Sequence, residues 1–146
     1  STRGIGKAII LALANEGCNV IIHYHKDTSD LKETLKEINP NVNKYAYKAD
    51  ITKEKEVNNL FKKIKRNHKK IDILVNNVGN YIKKDLEKLT VSEWHEMLDS
   101  NLNSAFYCTY HALPLIRESS FGRIINIGYA SSGSIVAKPR ILPYFI

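Results

Sequence analysis

Ser1-Thr2-Arg3-Gly4-Ile5-Gly6 runs straight into the apolar helix pattern of Lys7 to Glu16, and this glycine turn at a helix start decides how the rest of the chain is read. Glycines at such a place let the backbone come close to a ligand, and the first turn of the helix offers unpaired N–H groups and a partial positive charge. Together they make a seat for a phosphate or diphosphate. The turn has no apolar strand ahead of it and no initiator Met, so the sequence is expected to be a fragment that enters the motif part-way.

Working outward, helical and strand patterns alternate. Ile5 to Glu16 predicts a helix closed by Gly17, and Asn19 to Tyr24 a short apolar strand. Leu31, Leu35 and Ile38 mark one face of a second helix that Pro40 ends, and Tyr45 to Ala49 forms the next strand. Thr52 is placed to cap a third helix, on which Val57, Leu60, Phe61 and Ile64 make one apolar stripe. Ile71 to Val75 is nearly continuous apolar sequence, as in a parallel strand covered on both faces. Thr90-Val91-Ser92-Glu93 has capping-box spacing and opens a helical stretch to Asp99. A long helix carrying Leu102, Ala105, Phe106, Thr109 and Leu113 follows, with Pro114 kinking or tightening its end. Arg123 to Ile127 is the last strand. Regular alternation of this kind predicts an α/β fold: a doubly wound parallel sheet of Rossmann type in three layers, α/β/α, as one domain over 1–146 that is incomplete at both ends.

Length and charge narrow the function. At 146 residues and 43% hydrophobic, one core of ordinary size is available. The net charge of +7 comes mainly from scattered lysines, the densest run being Lys62 to Lys70 on the polar side of an amphipathic helix. That pattern reads as a solvated face; no aromatic-basic interleaving points to nucleic acid. Cys18 and Cys108 stand far apart with no metal-ligand spacing, so neither a disulfide framework nor a metal site is expected, and a cytoplasmic protein fits best. No apolar run approaches the roughly 20 residues that span a bilayer.

In such a sheet, ligands sit beyond the carboxyl ends of the strands. The residues there are Tyr24-His25-Lys26, Asp50-Ile51, Asn76-Asn77-Val78-Gly79 and Gly128-Tyr129-Ala130-Ser131-Ser132. An acidic residue after the second strand of a dinucleotide fold would bind a ribose 2′-OH and repel a 2′-phosphate. Here His25 and Lys26 stand first, with Asp27 only afterwards, and Arg3 adds a cation in the glycine turn, so NADP(H) is the preferred cofactor.

Taken in order, these motifs resemble the short-chain dehydrogenase/reductases, most closely the 3-oxoacyl-[acyl-carrier-protein] reductase type, over essentially the whole sequence. Thr2, Arg3, Gly4, Ile5 and Gly6 lie in the part of the chain that matches the end of the family's Thr-Gly-x-x-x-Gly-Ile-Gly cofactor turn. Asp50-Ile51 is similar to its adenine-contacting pair, and Asn77-Val78-Gly79 to its Asn-Ala-Gly, with Val for Ala. Asn101-Leu102 matches an Asn-Leu whose Asn holds a water in a proton relay. The resemblance makes Tyr144 the Tyr of Tyr-x-x-x-Lys, its Lys falling beyond Ile146. The catalytic Ser departs from the pattern: Tyr129 occupies its place counted from the last strand, whereas Ser131 does so counted back from Tyr144, with Ser132 beside it.

The resemblance implies reduction of a carbonyl, by default a 3-oxoacyl thioester that an acyl carrier protein could carry, with Tyr144 as proton donor and Ser131 the favoured hydrogen-bond donor. It also implies a homo-oligomer, commonly a tetramer, formed through the helix matching Asn101 to Ile116. A Tyr of pKa about 10 donates at neutral pH only beside a positive charge. The fragment, lacking that Lys, is therefore expected to be inactive. Tyr129 in the place of Ser leaves a second reading, a dinucleotide-binding regulator without turnover. The family's first strand lies between those at Asn19 to Tyr24 and Ile71 to Val75, so two interior edges are expected about 10 Å apart.

Overall fold

In the computed structural model, which describes residues 2–26 and 29–128, the alternation forms in the predicted order. Its elements are α1 (Gly4–Asn15), β1 (Val20–Tyr24), α2 (Ser29–Glu37), β2 (Lys44–Lys48), α3 (Glu54–Asn67), β3 (Ile73–Asn76), α4 (Val91–Leu98), α5 (Ser104–Ile116) and β4 (Arg123–Asn126). A 3-10 turn at Leu86–Lys88 precedes α4. Gly17, at φ +84°, reverses the chain after α1 so that the amides of Gly17 and Cys18 reach the carbonyls of Ala14 and Leu13.

Two apolar clusters define the layers. Ile10 and Ala14 of α1 pack with Val20 and Ile22 of β1 and with Ile38 beyond α2. On the other side, Val57, Leu60, Phe61 and Ile64 of α3 meet Cys108, Ala112, Leu115 and Ile116 of α5, together with Ala49 and Ile51. Ile21 faces this second cluster while its neighbours Val20 and Ile22 face the first, as the period-two alternation of a strand requires. α5 continues through Pro114 to Ile116.

Two details differ from the sequence expectation. Thr52 does not cap α3: the N-cap position is Lys53, and the Thr52 hydroxyl donates to Asp50 Oδ1 at 2.7 Å, a local bond that competes with capping. The capping box at Thr90 does form, its hydroxyl accepting from the Glu93 amide at 3.2 Å while Glu93 Oε2 accepts from the Thr90 amide at 2.9 Å. The second difference lies between α4 and α5, where a π-helical turn at Asp99–Asn103 joins the two into one rod. The Ser104 amide there reaches back to the Asp99 carbonyl.

The strands pair in parallel as β1–β2 (Val20 opposite Lys44) and β3–β4 (Ile73 opposite Arg123). Among the described residues these are two separate pairs, with a cavity of about 660 Å³ between them. Its walls include Ile9, Ile10 and Leu13 of α1, Phe61 of α3 and Cys108 of α5. In a parallel ladder each residue points both its N–H and its C=O to one side. Val20 bonds toward β2, and Asp72 and Asn76 toward β4, so the main-chain groups of Ile21, Ile73 and Val75 turn toward the cavity. β3 is accordingly half-buried rather than covered, contrary to the expectation from its apolar sequence.

Two predictions follow from this packing. Sheet edges facing an apolar slot recruit other strands, so the isolated 146-residue chain is expected to aggregate and to show no cooperative thermal transition; a soluble monomer that melts cooperatively would contradict this. Lys84 and the capping contacts of Thr90 hold the Glu93 carboxyl at about 2, below its ordinary 4.5. The group is depressed in the folded state, so its stabilisation is present above pH 4.5 and is lost as pH falls toward 2. In chemical unfolding of the intact protein, the stability gap between wild type and Glu93→Gln should narrow across that window.

Candidate dinucleotide site

Parallel pairing brings the carboxyl ends of β1 and β2 to one edge, and those of β3 and β4 likewise. α1 begins with Arg3 as an extended N-cap residue whose side chain makes no capping bond, so the first amides of the helix have no intrahelical partner. Gly4 sits at φ +55°, in the left-handed region, with nothing within 4 Å of where a Cβ would be. The Thr2 carbonyl accepts from the Thr34 hydroxyl at 3.0 Å, which ties the turn to α2. Lys7 pairs with Glu37 at 2.8 Å and Glu33 at 3.4 Å, whereas Arg3 and Ile5 remain exposed and Gly6 is buried.

Beyond β1, His25 and Lys26 are exposed. His25 Nε2 stands 3.9 Å from Asp50 Oδ2. Burial alone would raise the Asp50 carboxyl, but hydrogen bonds from the Thr52 hydroxyl and amide, with the nearby His25, hold it below its ordinary value. Asp50 is thus an anchored carboxylate with Oδ1 engaged by Thr52 and Oδ2 toward His25. The Ile51 side chain is buried in the core. His23 bonds the Ala49 carbonyl at 2.8 Å, and burial lowers its pKa below 6.5, so the ring is neutral at pH 7.

At the β3 exit, Asn77 and Val78 line the same cavity as Gly6 of α1. The π-helical turn presents Asn101, whose Nδ2 donates to the carbonyls of Asn80 and Met97, both at 2.9 Å. A Cβ on Gly79 would lie 2.5 Å from Asn101 Oδ1, so a larger residue here must displace the Asn101 amide. Ser100 Oγ accepts from the Asn80 amide at 3.2 Å, and Asn80 also bonds Glu96. Cys108 is buried, and burial pushes its thiol up to about 11, which removes it as a nucleophile. Ser131, Ser132, Tyr129 and Tyr144 lie outside the described residues.

The arrangement fits a dinucleotide: an uncapped helix start with a side-chain-free approach at Gly4, an anchored carboxylate at Asp50, and a bare main chain at Gly79. A family model described as short chain dehydrogenase matches residues 1–144. The chain belongs to the short chain dehydrogenase family. It is 34% identical over 130 residues to a 3-oxoacyl-[acyl-carrier-protein] reductase of Staphylococcus epidermidis, covering 87% of this chain and 52% of that protein. It is 32% identical over 144 residues to a D-beta-hydroxybutyrate dehydrogenase of Cupriavidus necator, covering 99% and 55%. The chain therefore spans about half the length of these curated relatives. Among solved structures, Pseudomonas aeruginosa RhlG in an NADP active-site complex superposes at TM-score 0.86 with 30% identity, over 99% of this chain and 57% of that one. The NADH-dependent reductase A1-R′ complexed with NAD does so at 0.89 with 26% identity, over 99% and 63%. These likenesses bear out the Rossmann-type fold.

Asn80, Ser100, Thr109 and Asn126 belong to no site motif in the sequence, although Ile73-Leu74-Val75-Asn76 and Arg123-Ile124-Ile125-Asn126 end on Asn in register. That repetition was the available signal. Among the described residues no helix is long and apolar enough to cross a membrane.

Gly79→Ala in the intact protein should displace Asn101 and lower stability in chemical unfolding by about 1–3 kcal/mol, as overpacking does. Adding Asn101→Ala should recover part of that loss; an unchanged midpoint for the single variant would mean that the contact is slack.

Proposed function

We propose that the chain is the dinucleotide-binding part of an NADP(H)-dependent reductase of carbonyl compounds, with a 3-oxoacyl thioester, free or carried on acyl carrier protein, as substrate. One observation supports this reading: an uncapped α1 start, an Asp50 carboxylate anchored just after β2 and an Asn77-Val78-Gly79 segment just after β3 and packed on Asn101 belong to one α/β core, whose carboxyl strand ends are where such sheets carry a dinucleotide. The 3-oxoacyl choice follows the Staphylococcus relative's name, whereas the hydroxybutyrate dehydrogenase points to a broader class of small 3-oxo compounds.

Cofactor preference rests on charge. His25 and Lys26 are exposed beyond β1, and Arg3 is exposed at the glycine turn, a cationic setting for a 2′-phosphate. When bound, the nicotinamide supplies a hydride to the carbonyl carbon. The carbonyl oxygen then needs a proton and a hydrogen-bond donor, which Tyr144 and Ser131 are assigned to give. Asn101, whose amide donates to the Asn80 and Met97 carbonyls, takes by family resemblance the role of the Asn that holds a relay water. Leu102, Phe106 and Tyr110 expose 56%, 60% and 63% of their surfaces along one face of the long helix, an apolar stripe suited to a second copy in a homo-oligomer, with a tetramer the expected assembly. Two free thiols suit a reducing cytoplasm.

Steady-state assay of the intact protein should show 3-oxoacyl-thioester-dependent NADPH oxidation. NADPH should exceed NADH in kcat/KM by about tenfold or more, the size of one charge-assisted contact. Lys26→Glu should erase that preference and Tyr144→Phe should abolish turnover, while light scattering reads the assembly. Dinucleotide binding without turnover on any carbonyl would favour the regulatory reading, and a wild-type preference for NADH would overturn the cofactor assignment.

A further inference from the structure

One buried hydroxyl ties α2 to the glycine turn. Thr34 is the residue of α2 that is buried, at 0% exposure, and its Oγ1 donates to the Thr2 carbonyl at 3.0 Å. A threonine inside a helix commonly returns its hydroxyl to its own helix, to the carbonyl one turn back. Here the hydroxyl reaches a segment thirty-two residues earlier in the chain. A buried hydroxyl costs stability unless it is bonded, and a β-branched residue loses rotamer freedom inside a helix. Packing alone would be met by an apolar side chain, as it is at Leu31, Leu35 and Ile38. The Thr2 carbonyl is what the hydroxyl at position 34 serves.

That bond fixes the orientation of a peptide plane. Thr2 and Arg3 are joined by a trans peptide, whose C=O and N–H point to opposite sides. Drawing the Thr2 carbonyl toward α2 therefore turns the Arg3 N–H the other way. A flip of this plane would exchange the two, putting an acceptor that repels an anion where a donor had been. Arg3 is extended, at φ −153° and ψ 169°, and its own carbonyl accepts from the Lys7 amide at 3.3 Å. The planes on both sides of Arg3 are thus held, the one before it by Thr34 and the one leading into Gly4 by the first turn of α1. The ion pairs of Lys7 with Glu37 and Glu33 also join α1 to α2, but through long side chains ending on exposed glutamates, and they fix no peptide plane. We infer that Thr34 is a positioning residue for the diphosphate seat: its hydroxyl sets the Thr2–Arg3 peptide so that the N–H groups of the glycine turn are oriented before the diphosphate arrives. This rests on the dinucleotide reading above for its ligand.

The test uses the intact protein with three variants: Thr34→Val, which keeps the shape and loses the hydroxyl, Thr34→Ala, which loses both, and Thr34→Ser, which keeps the hydroxyl. Calorimetry with NADPH and with NADH, in the absence of a carbonyl substrate, should show dissociation constants raised about tenfold or more in Thr34→Val and Thr34→Ala, and within about threefold of wild type in Thr34→Ser. The factor should be the same for both dinucleotides, because both carry the diphosphate. KM for NADPH should rise in step, while kcat at saturating NADPH changes less than about twofold. Hydrogen exchange without ligand should rise about tenfold or more at the Lys7 amide in the two variants lacking the hydroxyl and stay unchanged at the His68 amide that closes α3. Unaltered NADPH affinity in folded Thr34→Val or Thr34→Ala, a loss confined to NADPH, or exchange that rises equally at both amides would overturn the proposal. If wild type binds neither dinucleotide, the dinucleotide reading falls, and exchange at the Lys7 amide alone then upholds or refutes the hold of Thr34 on the turn.

Discussion

The direction of hydrogen bonds in a parallel ladder is the constraint on which this structure depends. Register fixes Val20 against Lys44 and Ile73 against Arg123, and each pairing necessarily carries the chemically distinctive residues to a common edge. The same rule turns Ile21, Ile73 and Val75 inward to an apolar slot, so order at the site and the inward-facing strand edges have one origin. Packing on α1 and α2 from one side and on α3 and α5 from the other holds the pairs in place.

The parts of the fold governed by periodicity were legible in the sequence. Val57, Leu60, Phe61 and Ile64 are all buried on α3, and the Thr90–Glu93 box formed as its spacing required. What escaped depended on competition between equally plausible local partners. Thr52 had two uses for one hydroxyl and bonds Asp50, a choice that stiffens a candidate ligand residue rather than the helix start. The π-helical turn before α5 has no side-chain period to announce it, and it appears only through Ser104 reaching Asp99. The half-buried state of β3 was hidden because apolar composition reports what a strand is suited to meet, not what lies beside it.

The site shows the same division. Glycine at position 4 could be read as a turn residue, and the structure supplies its reason in a left-handed backbone. Glycine at 79 reads as backbone access, yet its neighbour across the gap is Asn101, twenty-two residues later, and only tertiary packing shows that a methyl group there would collide. The Asn76 amide, which donates to Thr109 Oγ1 and Asn126 Oδ1, joins residues as much as fifty positions apart. Charge near the glycine turn behaves similarly: Lys7 looks available in sequence but is taken by Glu37, whereas Arg3 and Lys26 are exposed.

The most direct test of the account is a crystal structure of the intact protein grown with NADP. The account places the diphosphate against the first amides of α1 at Gly4 to Gly6, the adenine beside Asp50, and the 2′-phosphate within hydrogen-bonding reach of Arg3, His25 or Lys26. A dinucleotide bound with its diphosphate away from that turn, or with Asp50 facing the phosphate instead of the base, would contradict it.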